Sequence, residues 1–308
     1  MTEPGQIFDR ALHRLRLERA AGSAGEADFL RRRASEDLVQ RIALVNRDFP
    51  IAVELGARHG AFARAMATGP AAAKIGLLIE TDLSARMMRG RGGIRLVADE
   101  ERLPFRPHAL DLVVSNLVLH WVGDLVGALI QVRRALRPDG LMLASLLGGS
   151  TLTELRQVLL EAEIAVTGGA GPRVSPFADA FDAAGLLQRA GFAMPVVDVD
   201  RVVVRYDHPL KLIADLRAMG ETNVLVDRPS RPLTRPVLRR VCETYAERFA
   251  GPDGKTPATF EILTLTGWAP HPDQRPPLRP GSAKGRLADA LATVEQSAEA
   301  STKGGRPA

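Results

Sequence analysis

Residues 51 to 147 contain five short runs rich in Val, Leu and Ile, separated by loops and helical stretches, and this alternation leaves the chain few folds to choose from. The runs are Ile51 to Leu55, Ile75 to Ile79, Ile94 to Ala98, Leu110 to Ser115 and Leu141 to Leu147. Strands repeated in one direction with helices between them predict a parallel α/β sheet covered by helices. Asp124 is placed to cap a helix through Ala128, Leu129, Val132 and Leu136, which Pro138, Asp139 and Gly140 end. An amphipathic helix over 28–45 precedes the first strand, with Phe29, Leu30, Leu38 and Ile42 positioned to cover it. After the fifth strand come a helix near 152–166, a loop containing Gly168, Gly169, Gly171, Pro172 and Pro176, and a short helix ending at Ala190. Two further strands, Val196 to Tyr206 and Thr259 to Gly267, bring the sheet to seven.

The chain therefore divides into an N-terminal helical segment (1–45), the main sheet (46–206), a helical insertion (207–256), the last strand (257–269) and a Pro-rich, weakly ordered tail (270–308). The insertion is expected to cap the carboxyl ends of the strands, where open α/β sheets bind ligands.

The 41 basic side chains outnumber the 36 acidic ones by five, and all but five of the basic ones are Arg. The arginines are spread along the chain among Asp and Glu, and aromatics are only 5%, so the excess reads as mutational composition, as in a GC-rich genome, and not as a nucleic-acid surface. A lone cysteine, Cys242, excludes internal disulfides and Cys-based zinc sites and fits a reducing cytoplasm. No apolar run approaches the ~18 residues of a membrane span. The first ten residues carry Glu3 and Asp9 and no apolar stretch, which reads as neither a secretory signal nor a transit peptide.

The chemistry-bearing residues sit at strand ends. The first strand runs into Glu54-Leu55-Gly56-Ala57-Arg58-His59-Gly60. Gly56 permits a tight turn with backbone amides close to a ligand, Gly60 lets the next helix pack closely, and Glu54 offers a carboxylate to a cationic or amine-bearing group. The glycine spacing is not that of a dinucleotide fingerprint, and there is no P-loop lysine. The second strand leads to Thr81-Asp82-Leu83-Ser84, where an acidic residue can accept both hydroxyl hydrogens of a ribose. The third leads to Asp99-Glu100-Glu101, and the fourth ends in Ser115-Asn116. Any one carboxylate is explained equally well as a helix cap or a solvated loop residue. Acidic residues at the ends of successive strands are not.

These segments, together with Leu136-Arg137-Pro138-Asp139-Gly140, resemble a class I S-adenosylmethionine methyltransferase over about residues 45 to 150. The resemblance implies a seven-stranded Rossmann-like sheet with helices on both faces and a helical insertion between the last two strands. It implies S-adenosyl-L-methionine as cofactor, with Glu54 at its amino acid part, Asp82 at the ribose and Asp99 at the adenine amine. Backbone around Gly56 and Gly60 would surround the methionine portion, with Arg58, Leu83, Glu100, Ser115 and Asn116 completing the site. Arg58 departs from the family pattern, which has glycine there; its side chain must point away, enter the cofactor's path, or pair with the cofactor carboxylate or Glu54.

Within the superfamily, the chain is similar to the methyltransferase-like assembly factors of respiratory complex I, a family linked to hydroxylation of an arginine in a complex I subunit. That similarity rests on Ile7-Phe8-Asp9-Arg10, Ala98-Asp99-Glu100-Glu101, Leu119-His120-Trp121-Val122, Gly148 to Arg156, Ser175-Pro176-Phe177, Met219-Gly220-Glu221-Thr222-Asn223, and Pro257 to Trp268. It implies an enzyme that modifies a protein in a bacterial cytoplasm, peripheral to the inner membrane through its partner. The alternatives are a small-molecule or carrier-protein methyltransferase of the biotin or quinone synthesis type, and an assembly chaperone without catalysis.

His120, Trp121, Glu221 and Asn223 are candidate substrate contacts, although His120 and Trp121 are explained as well by packing. A sulfonium is already activated and the work is proximity and orientation, so no residue is singled out as catalytic. No metal site is expected: the His271-Pro272-Asp273 pair lacks an identifiable third ligand. Cys242 reads as a packing residue.

Overall fold

A computed structural model of the chain describes residues 6–23 and 27–273, and its regular elements lie within the unit that ends at His271. Two helices, α1 (Arg10–Ala20) and α2 (Phe29–Leu44), precede β1 (Phe49–Leu55). There follow α3 (Ala61–Thr68), β2 (Ile75–Asp82), β3 (Ile94–Val97), β4 (Leu110–Asn116), α4 (Leu125–Ala135) and β5 (Leu136–Leu147). The chain continues with α5 (Thr153–Thr167), α6 (Ala180–Arg189), β6 (Ala193–Tyr206), α7 (Pro209–Met219), α8 (Arg235–Phe249) and β7 (Thr256–Trp268).

The seven strands form one sheet in the order β3-β2-β1-β4-β5-β7-β6. The first five are mutually parallel, while β7 returns antiparallel between β5 and β6. Central β4 is buried at every position, as expected of a parallel strand covered on both faces; its apolar residues Leu110, Leu112, Val113 and Val114 are flanked by buried Asp111, Ser115 and Asn116. One face packs on α4 and α6 through Leu129, Val132 and Leu187, the other on α2 and α3 through Leu38, Ile42 and Phe62. Among the described residues no helix is long and apolar enough to cross a membrane.

Two details differ from expectation for physical reasons. The Pro138-Asp139-Gly140 turn does not separate α4 from β5; it is a bulge inside β5, where the register slips between Leu110 and Leu112. Pro138 has no N–H for the ladder and Asp139 takes φ +58°, so the strand bends and rejoins through Asp139 N–H to Ala269 O at 2.9 Å. Helix α2 serves two cores. Its C-terminal half, Leu38 and Ile42, covers β1 as expected, but Phe29 and Leu30 pack instead with Phe260, Leu155 and Leu216. Most of the tail, from 274 to 308, lies outside the described residues.

Candidate functional site at the carboxyl ends of the strands

The turn after β1 is built by two glycines in left-handed backbone, Gly56 at φ +69° and Gly60 at φ +73°. A Cβ on Gly56 would collide with the Val118 side chain, and at Gly60, where the Arg91 guanidinium could swing aside, it is the left-handed backbone that favours glycine. Between them Arg58 also takes positive φ, +46°, a conformation that costs about 1–2 kcal/mol for a residue with a Cβ. Its side chain folds inward and is 2% exposed.

The inward fold is explained by Asp82, whose carboxylate is 0% exposed and gathers donors from both sides. Arg58 Nη1 lies 3.1 Å from Oδ1 and 3.0 Å from Oδ2. The Arg58 backbone N–H donates to Oδ2 at 2.9 Å and that of Ser84 to Oδ1 at 2.8 Å. Arg58 therefore neither points away nor meets Glu54; it stands on the carboxylate at the end of β2. Arg58 Nε and Nη2 are buried without a hydrogen-bond partner among the described residues.

The neighbouring carboxylates are held by arginine in the same way. Arg10 Nη2, from α1, donates to Asp99 Oδ1 at 2.5 Å and also to Glu100 Oε2. Arg91 Nη1 donates to Glu80 at 2.6 Å, and its Nη2 to the Arg58 carbonyl at 3.0 Å. Glu54 is the exception. It is 1% exposed, its Oε2 has no partner among the described residues, and burial, reinforced by nearby Glu80, holds its carboxyl well above the usual range.

Other expected site residues also make contacts within the fold. The Asn116 side-chain amide donates to Arg31 O at 3.0 Å and Ser35 Oγ at 2.7 Å, tying β4 to α2. Ser115 Oγ lies 3.4 Å from the Leu55 carbonyl, and Leu83 packs with Leu17 and Met87.

A second cluster forms where the loop after α7 reaches the sheet. Glu221 Oε2 accepts from Trp121 Nε1 at 2.7 Å and His120 Nε2 at 3.1 Å, while Oε1 accepts from Arg31 Nη2 at 2.8 Å. The Leu147 N–H points at His120 Nδ1 at 3.4 Å, which fixes the tautomer with the proton on Nε2. Burial pushes His120 below its usual range, so it donates to Glu221 as a neutral ring. Burial alone would raise Glu221, but His120, through its charge when it is protonated at low pH and through its hydrogen bond, together with the charges on Arg31 and Arg58, outweighs it and holds the carboxyl down at about 2. Asn223 does not join this cluster. Its Oδ1 accepts from the Leu225 N–H at 2.9 Å, closing a local turn, and its Nδ2 donates to Pro172 O at 2.7 Å, tying that turn to the loop before α6.

Sequence reasoning missed the cationic half of the site: Arg10, Arg31 and Arg91, and with them His13. The His13 ring is 0% exposed, lies 5.0 Å from the Trp121 ring, and is pushed well below its usual range by burial and by Arg58 and Arg10. The segment Ile7 to Arg10 was visible only as part of a family resemblance. What brings it to the site is the bonding of Ile7 O and the Asp9 N–H to Val226 and Val224, which no local pattern announces. Among the described residues no three His, Cys, Asp or Glu side chains gather as a metal site.

Comparison with known proteins agrees with this architecture. Residues 53–144 match a family described as a methyltransferase domain. The arginine-hydroxylase NDUFAF5, mitochondrial, of Danio rerio is 36% identical over 290 residues, spanning 92% of this chain and 89% of that one. A malonyl-[acyl-carrier protein] O-methyltransferase of Methylovorus sp. (strain MP688) is 32% identical over 284 residues, spanning 88% and 92%. Among solved structures, the BH2331 protein of Bacillus halodurans C-125, described as a candidate methyltransferase, superposes with a TM-score of 0.53 at 13% identity. It covers 77% of this chain and 99% of its own, which is a likeness of fold.

Proposed function

The chain belongs to the family of the arginine-hydroxylase NDUFAF5 proteins, enzymes of methyltransferase-like type, and from that premise we propose that it binds S-adenosylmethionine and modifies a protein substrate. The observation that carries the cofactor reading is the buried Glu54 carboxyl, whose Oε2 has no partner among the described residues, beside two glycines in left-handed backbone. A ligand ammonium is the group that would relieve it, and the glycine backbone is what lets such a ligand approach.

In this reading Glu54 would hold the amino acid end, Asp82 the ribose and Asp99 the adenine amine, with Gly56 and Gly60 offering backbone and Leu83 and Glu100 lining the rim. The carboxylates suit the cofactor; Arg58 must surrender Asp82 before a ribose can have it. When bound, S-adenosylmethionine supplies an activated sulfonium. The protein's own contribution is orientation and exclusion of water, by α1 through Arg10 and by the insertion (207–256) through Glu221.

On the family resemblance drawn from the sequence, the partner is a subunit of respiratory complex I, reached at the cytoplasmic surface of the inner membrane. Mass spectrometry of complex I subunits from cells with and without the protein tests this. A gain of one methylene marks methylation and a gain of one oxygen hydroxylation; identical spectra refute a modifying role. Calorimetry with S-adenosylmethionine tests the cofactor separately.

A further inference from the structure

A cavity of about 1140 Å³ opens beside the His120–Trp121–Glu221 cluster, between α1, α5, α7 and the loops before α6 and α8. It exceeds the ~300–1,000 Å³ usual for small-molecule sites. One wall is apolar: Leu147, Leu152, Leu155, Leu159, Leu216 and Phe177 line it. The buried Ser175 hydroxyl, 4% exposed, faces the cavity residues without a hydrogen-bond partner among the described residues.

The charge around this wall is one-sided. Six arginines line the cavity against one acid, Glu221, which already receives three donors. Three of the six are engaged: Arg173 with Glu163, Arg228 with Asp9, and Arg16 with the Asn223 carbonyl. Arg19, Arg217 and Arg231 form no ion pair among the described residues, and all three are exposed. An arginine side chain from a protein substrate is the wrong charge for such a place, because like charges in a partly desolvated cleft repel.

We propose that this cavity binds a single-chain anionic amphiphile. Its alkyl chain would lie along the leucine wall, and its carboxylate or phosphate head would meet Arg19, Arg217 and Arg231, with the Ser175 hydroxyl available to the chain's polar end. The alkyl chain accounts for the apolar depth, and the head accounts for cations that form no ion pair among the described residues. A free anion would use only the second, and a neutral lipid only the first. This assignment stands without the cofactor reading, since no residue of the strand-end turn contributes to the cavity.

The test uses full-length protein carrying Trp268→Phe, which leaves Trp121, a cavity-lining residue, as the sole tryptophan. Titration with 9,10-dibromostearate below its micelle concentration should quench Trp121 saturably, because bromine quenches on near contact. Native mass spectrometry of the unsubstituted protein should show one bound chain. The corresponding dibromo-alcohol should bind more weakly. The Arg19→Ala, Arg217→Ala, Arg231→Ala variant should lose about tenfold in affinity for the acid and little for the alcohol, three exposed charges each contributing a fraction of a kcal/mol. Lysophosphatidic acid should compete.

Absent or unsaturable quenching overturns the proposal, as does equal affinity for acid and alcohol. Displacement by millimolar inorganic phosphate alone would make this a free-anion site. Binding of an acidic amphipathic peptide with no binding of the fatty acid would make it a protein-docking groove. Either result replaces the proposal.

Discussion

Replacing Arg58 with glycine should convert a self-occupied crevice into one open to the nucleoside. In the free protein the guanidinium makes two bonds of 3.0–3.1 Å to a fully buried Asp82, so a ribose can reach that carboxylate only by displacing it. Breaking a buried pair costs about 3–5 kcal/mol when the remaining charge goes unmet. Ribose hydroxyls would meet part of it, so wild-type binding carries a penalty of about 3 kcal/mol, and Arg58→Gly should bind S-adenosylmethionine on the order of a hundredfold more tightly. The stability cost is smaller than for an ordinary buried pair. Asp82 keeps the two backbone N–H bonds, and glycine takes φ +46° without the ~1–2 kcal/mol strain that arginine bears. A net loss of about 2 kcal/mol is expected by urea unfolding. Calorimetric titration of both proteins with S-adenosylmethionine and S-adenosylhomocysteine reads the affinity. Equal dissociation constants would refute the reasoning, since they would mean that Arg58 leaves Asp82 without cost.

Three further outcomes concern Glu54, Glu221 and Asn223. Glu54 has a folded pKa above its unfolded one, so its burial is tolerated at low pH and costs stability as pH rises from about 4.5 toward the folded value. Glu54→Gln should raise the melting temperature at pH 8, flatten that slope and weaken cofactor binding; an unchanged slope in thermal scans would contradict the assignment. Glu221 is the reverse case, its contribution complete above about pH 4.5 and lost as pH falls toward 2, so Glu221→Gln should cost about 3 kcal/mol at pH 7 and far less at pH 3 by denaturant titration. Asn223→Ala should leave cofactor affinity unchanged and cost about 1 kcal/mol of stability, because its side chain closes a turn and touches neither Glu54 nor Asp82.

The sheet was legible because its strands announce themselves locally, by apolar runs ended by glycine or acidic residues, and because seven-strand order follows once the resemblance is recognised. Glu54, Asp82 and Asp99 were legible for the same reason: each is fixed by its place at a strand end. Their partners were not. Arg10 lies 89 residues from Asp99, and Arg31 lies 190 from Glu221, and nothing in the spacing of either arginine distinguishes it from the other arginines of the N-terminal helices. The partners of Asn223 were hidden for a related reason, since a polar residue two positions from Glu221 looks like its companion, whereas the backbone directs its side chain to Pro172.

The antiparallel return of β7 between β5 and β6 also sets a schedule for synthesis. Strand β5 is complete at Leu147 and β6 at Tyr206, yet the strand that joins them ends at Trp268. On the ribosome, both therefore emerge with a hydrogen-bonding edge unmet for a long interval, and such edges are templates for pairing with other chains. The nascent chain must keep these edges apart from its neighbours until the last strand slots in. Truncations before residue 256 should therefore aggregate as a class, whatever their effect on the crevice.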